Sequence, residues 1–174
     1  MKVEVLGEAG WEWALLGLSL SYNQPVNKMP EVAKKLLPRG GSLTAGGEPN
    51  PGWLDVTAPR YWWQQFDTYR VGMTKQSEST MHTLMRGPLS QADFEGDGIP
   101  RVVLDAVNEL ISAGEFRKAK KALPEGFLQR RVVCTNYKEL QHMVGQRHDH
   151  RLPEWQFFVA EVLRQAERPS FLEP

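Results

Sequence analysis

Segments with the patterning of a β-strand and segments with the spacing of an α-helix follow one another along the whole chain. Residues 2–6 (KVEVL), 53–57 (WLDVT) and 128–134 (LQRRVVC) have the alternation or the β-branched content of strands. The clearest helix is predicted over residues 99–113, because its large apolar side chains share one face and Gly114 follows it. This mixture predicts an α+β fold.

Further helices are predicted over residues 11–20, 31–37, 60–70, 115–123, 137–146 and 154–165, with a short one after Ser77 or Ser79. Residues 71–79 (VGMTKQSES) are polar and predict a loop. Residues 40–52 (GGSLTAGGEPNPG) hold five Gly and two Pro, which disfavours helix and strand and predicts a flexible loop. Patterned segments flank this loop closely, so we predict one domain over residues 1–174.

The composition is that of a globular protein. Of the 174 residues, 41% are hydrophobic and 24% are charged, which excludes a wholly disordered chain. A single cysteine, Cys134, excludes a disulfide framework and a cysteine-rich zinc site, and it fits a reducing compartment. No run of about 18 apolar residues is present, and Glu4, Glu8 and Glu12 argue against a signal peptide. We therefore expect a cytoplasmic protein without a membrane partner.

The charges of the chain balance. Lys and Arg number 21, and Asp and Glu also number 21, so a protein that coats nucleic acid is not expected. The basic residues between positions 117 and 131 form the weaker case for a nucleic-acid role. Our interpretation of most of them is an exposed helix face and a strand edge protected against aggregation, with one or two of them available for an anion contact. A net charge of zero is compatible with self-association.

A first group of candidate binding residues lies within residues 64–79. Gln65 and Arg70 precede the polar residues 74–79, and hydroxyls, backbone N–H groups and cations in such a loop can hold a phosphate. The alternative is an exposed loop without a ligand.

A second group is the segment RHDHR at residues 147–151. Arg147 at a helix end can pair with a phosphate or a carboxylate in fork geometry. His148 and His150 are metal-ligand types, but two histidines are too few, and no metal site is predicted. The alternative is a polar turn between two helices.

Several stretches, in order along most of the chain, resemble the flavin-dependent thymidylate synthases. Residues 2–6 with 18–22 (LSLSY) are similar to the first strand and the Ser-Tyr turn of that family. Residues 56–72 (VTAPRYWWQQFDTYRVG) resemble the segment that leads into its Arg-His-Arg signature. The strongest resemblance covers residues 110–147, and Glu154, Trp155 and Phe171 resemble the C-terminal helix and tail.

This resemblance implies a compact subunit with a small central antiparallel sheet flanked by helices. It also implies a homotetramer with active sites at subunit junctions, where FAD and deoxyuridine monophosphate (dUMP) bind. In that family a methylene group passes from methylenetetrahydrofolate through the flavin to the uracil ring, and NADPH reduces the flavin. Catalysis there is mostly orientation and electrostatics around a cofactor, without a cysteine nucleophile.

The resemblance also implies the site residues, but it assigns no catalytic residue. The implied substrate-binding residues are Gln65, Arg70, Ser79, Lys120 and Arg147. The implied cofactor-binding residues are Ser21, Glu48, Tyr69, Asn136 and His142.

The chain departs from the family at the signature itself. Thr68 and Tyr69 stand in place of its Arg and His, before Arg70. Ser79 follows a loop that is one residue longer and lacks the Arg that comes after the family's Ser. Each lost charged hydrogen bond to a phosphate is worth about 1.5–3 kcal/mol. Two functions follow: a synthase-like enzyme that transfers a one-carbon unit, or a catalytically degenerate relative that is a nucleotide- or protein-binding module.

Overall fold

Four strands form one antiparallel sheet in the computed structural model, which describes residues 1–36 and 51–173. They are β1 (Lys2–Glu8), β2 (Pro51–Pro59), β3 (Thr74–Ser77) and β4 (Leu128–Asn136). Their order in the sheet is β1-β2-β4-β3, so β1 and β3 are the edge strands. The predicted α+β class with a small antiparallel sheet is confirmed.

Eight α-helices accompany the sheet within the described residues. They are α1 (Trp11–Tyr22), α2 (Met29–Leu36), α3 (Arg60–Phe66), α4 (Thr80–Thr83), α5 (Arg101–Ser112), α6 (Phe116–Ala122), α7 (Tyr137–Arg147) and α8 (Pro153–Gln165). Each falls on a segment for which the sequence predicts a helix. None of these helices has the length and apolar character needed to cross a membrane.

The prediction of a loop over residues 40–52 lies largely outside the described residues, which omit positions 37–50. Pro51 and Gly52, which the sequence places in that loop, begin β2 instead. The prediction of a loop over residues 71–79 is wrong in its centre, where β3 lies. Three of the four residues of β3 are exposed, so this edge strand has no buried face to produce an alternating pattern.

Helix α3 ends at Phe66, four residues before the predicted end. The Thr68 hydroxyl donates to the Gln65 carbonyl at 2.8 Å, and the Thr68 backbone N–H donates to the same oxygen at 3.1 Å. A threonine that bonds back to a carbonyl three residues earlier competes with continuation of the helix. Tyr69 and Arg70 therefore lie beyond the helix on which the sequence places them.

The described chain divides into two compact units. Unit 1 contains Met1–Lys2, Val56–Thr68 and Gln76–Arg131. Its core joins α5 and α6 to the segments around them through Leu84, Phe94, Leu104, Val107, Ile111, Ala119, Leu123 and Phe127. The apolar spacing of α5 places Leu104, Val107 and Ile111 on its buried face, as predicted.

A buried aromatic group on α3 anchors the start of β4 within unit 1. The Trp63 ring lies 4.9 Å from Trp62 and 5.2 Å from Phe66 between centroids. The Arg131 guanidinium stacks 4.4 Å above the Trp63 ring and pairs with Asp67 at 3.0 Å. The interpretation of Arg131 as an exposed strand-edge residue is wrong, because its side chain is only 16% exposed. The arginine side chain suits this position because its planar guanidinium can lie on the Trp63 ring and pair with the Asp67 carboxylate at the same time.

Unit 2 contains Val3–Asp55, Tyr69–Lys75 and Val132–Pro174. Gln165, the last residue of α8, bonds strand β1 in both directions: its amide donates to Val3 O at 3.0 Å and accepts from Val5 N at 2.9 Å. Trp11 at the start of α1 packs edge-on against Phe171, with 4.7 Å between ring centroids. The C-terminal segment is thus part of the core of this unit.

A phenol–carboxylate pair fastens the C-terminal segment to the end of β1. Tyr137 is buried, and its hydroxyl donates to a Glu8 carboxylate oxygen and accepts from the Arg168 backbone N–H at 3.1 Å. The other Glu8 oxygen accepts from the Glu167 backbone N–H at 3.0 Å. Burial, and then the Glu8 carboxylate, raise the pKa of Tyr137 above its ordinary value.

We expect this raised pKa to make the protein less stable at alkaline pH. The phenol stays protonated in the folded chain, whereas in the unfolded chain it titrates near pH 10, so the free energy of unfolding falls as the pH rises above about 10. Tyr137→Phe removes the hydroxyl and its hydrogen bonds, so the variant should be about 1–2 kcal/mol less stable than the wild type at pH 8. This difference in the free energy of unfolding should shrink above pH 10, where the wild type loses stability. Urea denaturation of both proteins between pH 8 and 11 measures the deficit, and a constant deficit would contradict the prediction.

Candidate functional site

Arg147 is the last residue of α7 and the centre of the candidate site in unit 2. Its side chain is half-buried, and its Nε donates to the Tyr69 hydroxyl at 2.8 Å. The guanidinium carbon lies 4.7 Å from the centre of the Trp155 ring and 5.6 Å from that of Tyr69. A cation at a helix C-terminus is favoured by the helix dipole, and stacking on a buried indole fixes its plane.

Three described arginines stack on tryptophans, and Arg147 differs from the other two. Arg131, above Trp63, pairs with Asp67 at 3.0 Å, and Arg168, 4.7 Å above Trp11, pairs with Glu167 at 2.9 Å. Neither Nη nitrogen of Arg147 has an acceptor among the residues that the structure describes. Its guanidinium is therefore oriented but not neutralised by a carboxylate there, which is the arrangement of an anion-binding group.

Tyr69 links Arg147 to two further side chains. Its buried hydroxyl donates to Gln146 Oε1 at 2.9 Å, and its ring meets those of His142 and Trp155 edge-on, with centroids 5.9 and 6.0 Å away. Three of the predicted site residues, Tyr69, His142 and Arg147, thus lie together. Sequence reasoning missed Gln146 and Trp155 as parts of this site, because the pattern of their helices indicates only which face is buried.

The surroundings of Arg147 are electropositive. Burial, followed by the charges of Arg147 and Arg151, lowers the pKa of His150 below its ordinary value, so the imidazole is neutral at pH 7. Its Nδ1 accepts from the Leu152 backbone N–H at 3.1 Å. His148 instead lies beside Asp149, with 3.0 Å between Nε2 and the carboxylate. No group of three or more potential metal ligands occurs in the described part of the chain.

Asn136 has a structural role at the other end of α7. The buried side chain accepts from the Glu139 backbone N–H at 2.9 Å as the N-cap of the helix, and its amide nitrogen donates to Gly72 O at 3.4 Å. An N-cap of this kind stabilises a helix by about 1 kcal/mol. Its implied contact with a flavin stays a prediction.

Solved structures with this architecture match over nearly the whole chain. The flavin-dependent thymidylate synthase ThyX of Helicobacter pylori, complexed with FAD and dUMP, has a TM-score of 0.81 at 16% identity, covering 99% of this chain and 98% of that one. A second structure of that enzyme with FAD and dUMP has a TM-score of 0.80, also at 16% identity, with 99% and 97% covered. The UMP/dUMP methylase PolB of Streptomyces cacaoi, bound with 5-Br dUMP, has a TM-score of 0.69 at 15% identity, with 94% and 88% covered.

The chain has the fold of the flavin-dependent thymidylate synthases. No family model and no curated protein matches its sequence. The resemblance inferred from the sequence is therefore confirmed at the level of the fold.

The other candidate residues of this thymidylate synthase-like fold in unit 2 lie on the surface or outside the described residues. Ser21 is exposed on α1, and its hydroxyl is 3.4 Å from Gly17 O of its own helix. Arg70 is exposed and has no ion-pair partner in the part of the chain that the structure describes. Glu48 lies outside the described residues.

Three predicted substrate-binding residues belong to unit 1. Gln65 is half-buried on α3. Ser79 is exposed before α4, where its carbonyl, rather than its hydroxyl, accepts from the His82 N–H at 2.9 Å. Lys120 is exposed on α6, with Nζ 5.8 Å from the centre of the Phe116 ring. The roles of these three residues stay predictions.

Proposed function

We propose that this protein is a flavin-dependent thymidylate synthase-like protein that binds FAD and a pyrimidine deoxynucleotide of the dUMP type. The fold supports the proposal, because neighbours of the same architecture are described with FAD and dUMP. The proposal includes a single domain in the cytoplasm. It also includes one-carbon transfer to the nucleotide, with methylenetetrahydrofolate and NADPH as co-substrates.

The observation that carries the proposal is how the Arg147 guanidinium is held and what its Nη nitrogens lack. A half-buried guanidinium, held by Tyr69 and Trp155 and lacking an acceptor for its Nη nitrogens among the described residues, matches a nucleotide phosphate in charge and geometry. In our proposal Arg147 binds the phosphate, and Gln65, Arg70, Ser79 and Lys120 are further substrate-binding residues.

The described donor set fits FAD in type. The exposed Ser21 hydroxyl and the exposed His142 imidazole suit the polar edge of a flavin, and Asn136 and Tyr69 belong to the same proposed set. When bound, FAD would supply the redox and carbon-transfer chemistry. The residues of the chain then bind and orient the nucleotide, and no proton transfer is assigned to a named side chain.

A homotetramer is part of the proposal, and an apolar face of α1 supports it. Trp13, Leu16 and Leu20 lie at positions that share one side of the helix, and they are 69%, 42% and 75% exposed. Contiguous exposed apolar side chains of this size mark protein interfaces more often than free surface. We propose that this face contacts another copy of the chain.

Native mass spectrometry combined with absorbance spectroscopy tests the proposal. We expect the purified protein to appear at four times the subunit mass of 19.8 kDa, to carry or take up about one FAD per subunit, and to bind dUMP when FAD is present. A colourless protein that takes up no added flavin and binds no dUMP would refute it. A protein that stays monomeric would refute the assembly alone.

A second function has its own supporting observation. The Tyr69 hydroxyl is hydrogen-bonded to Gln146 and Arg147, and the Asn136 side chain caps α7. Two side chains that the resemblance assigns to cofactor binding therefore already make hydrogen bonds within the chain. This favours a catalytically degenerate nucleotide- or protein-binding module. Formation of dTMP from dUMP, methylenetetrahydrofolate and NADPH would decide for the enzyme, and dUMP binding without turnover would decide for the module.

A further inference from the structure

Tyr69 is a buried tyrosine in a connecting segment rather than in a helix or a strand. Only 6% of the residue is exposed, although it carries a polar hydroxyl. Its ring is held between the edges of His142 and Trp155. Because the ring is fixed by packing, the hydroxyl has a defined place at the end of α7.

Two hydrogen bonds of the hydroxyl connect Arg147 to Gln146. It gives its single proton to Gln146 Oε1 at 2.9 Å, so its oxygen is left to accept from Arg147 Nε at 2.8 Å. Guanidinium nitrogens cannot accept, so Arg147 must be the donor to Tyr69, and the hydroxyl proton of Tyr69 is directed at the Gln146 carbonyl oxygen. Bonds that run in one direction in a partly buried site reinforce one another.

Tyr69 binds only Nε of the Arg147 guanidinium. A bidentate contact with a phosphate through the two Nη atoms does not need Nε. With Nε on Tyr69 and the plane of the guanidinium on Trp155, the two Nη groups are left without an acceptor among the described residues. Arg131 and Arg168 are held by carboxylates instead. A neutral phenol thus orients Arg147 without cancelling its charge.

We propose that Tyr69 is a positioning residue whose hydroxyl holds the Arg147 guanidinium in the orientation that binds the nucleotide phosphate. This inference rests on the function proposed above and deepens it. Tyr69 stands where the resembled signature has a histidine, and in this chain the position serves the arginine of α7. The hydroxyl acts through Arg147 and need not touch the ligand.

Tyr69→Phe tests the inference, because it removes the hydroxyl and keeps the buried ring. We expect the variant to bind dUMP about tenfold more weakly. Without the Tyr69 hydroxyl the Arg147 side chain is not held in place, and the entropy lost when it becomes ordered on binding weakens the affinity. The affinity for deoxyuridine, which has no phosphate, should be unchanged. Calorimetric titration with both ligands, in the presence of FAD, measures the two effects, and thermal unfolding verifies that the variant is folded. A purely structural role of Tyr69 would weaken both ligands alike.

A double-mutant cycle with Arg147→Gln shows whether Tyr69 acts through the arginine. In the Arg147→Gln background, Tyr69→Phe should leave dUMP affinity within about twofold, because the guanidinium that it positions is gone. Tyr22→Phe is the matched control, since the half-exposed Tyr22 has no hydrogen-bond partner among the described residues. Its affinity for dUMP should equal that of the wild type.

The outcomes separate the two proposals. If the wild type binds dUMP and Tyr69→Phe binds it equally well, or if the two substitutions are additive in the cycle, the positioning role is refuted and the proposed function stands. If the wild type binds no dUMP with FAD present, both are refuted. A loss confined to the phosphorylated ligand and absent in the Arg147→Gln background supports the inference.

Discussion

Arg147→Gln is expected to lower the affinity for dUMP about 100-fold or more. Each charged hydrogen bond to the phosphate is worth about 1.5–3 kcal/mol, and 1.4 kcal/mol corresponds to a factor of ten in the dissociation constant. Glutamine keeps a polar side chain of similar reach, but it has no charge and cannot make the bidentate contact. Calorimetric titration of the FAD-loaded variant and the FAD-loaded wild type with dUMP measures the loss of affinity.

The chain offers a matched control for this experiment in Arg168. It also stacks on a tryptophan, Trp11, but its guanidinium already pairs with Glu167. Arg168→Gln should therefore leave dUMP affinity within about twofold of the wild type. An equal loss in both variants would point to a general effect of positive charge, and an unchanged affinity in Arg147→Gln would remove Arg147 from the site.

The Arg147 result also bears on how much of the site a sequence can indicate. Position 147 was predicted from its place at a helix end, and the structure puts it at the last residue of α7. The partners that orient it, Tyr69 and Trp155, are 78 and 8 residues away along the chain, and no periodicity relates them to it. The sequence therefore indicates the charged group, whereas tertiary packing determines what holds it.

For the fold, too, the sequence predicts some features, and others depend on contacts that the sequence pattern does not show. The helices with a clear apolar face, such as α5, and the strands with β-branched residues, such as β4, were predicted because burial on one face imposes a period on the sequence. β3 was missed because it is a polar edge strand without a buried face. α3 was predicted too long because its end is set by the Thr68 hydroxyl, a local hydrogen bond that apolar spacing does not register.

Arg131 shows the limit of assigning exposure from residue type. An arginine on a strand next to another arginine is typical of a solvated edge, yet Arg131 is largely buried against Trp63 and paired with Asp67. What decides its position is an aromatic surface contributed by α3, together with a carboxylate just after that helix. Both are distant in sequence, and they become neighbours of Arg131 only once the chain has folded.

Trp63→Ala is expected to be the most destabilising of the substitutions considered for unit 1, with a loss of about 3–5 kcal/mol in the free energy of unfolding. The residue is 1% exposed, its ring packs against Trp62 and Phe66, and its indole N–H donates to Gln129 O at 2.8 Å. Truncation leaves a cavity, an unpaired carbonyl and the Arg131 guanidinium without its stacking partner.

A graded series separates the causes of this loss. Trp63→Phe keeps most of the ring packing but loses the hydrogen bond to Gln129, so we expect it to be destabilised by about 1–2 kcal/mol, between the wild type and Trp63→Ala. Val102→Ala, at a position on α5 that is 75% exposed, is the control and should stay within about 0.5 kcal/mol of the wild type. Urea denaturation at one protein concentration measures all three variants. If Trp63→Ala were no less stable than Val102→Ala, α3 would not anchor β4 through this indole, and the aromatic group would not be the core that its burial indicates.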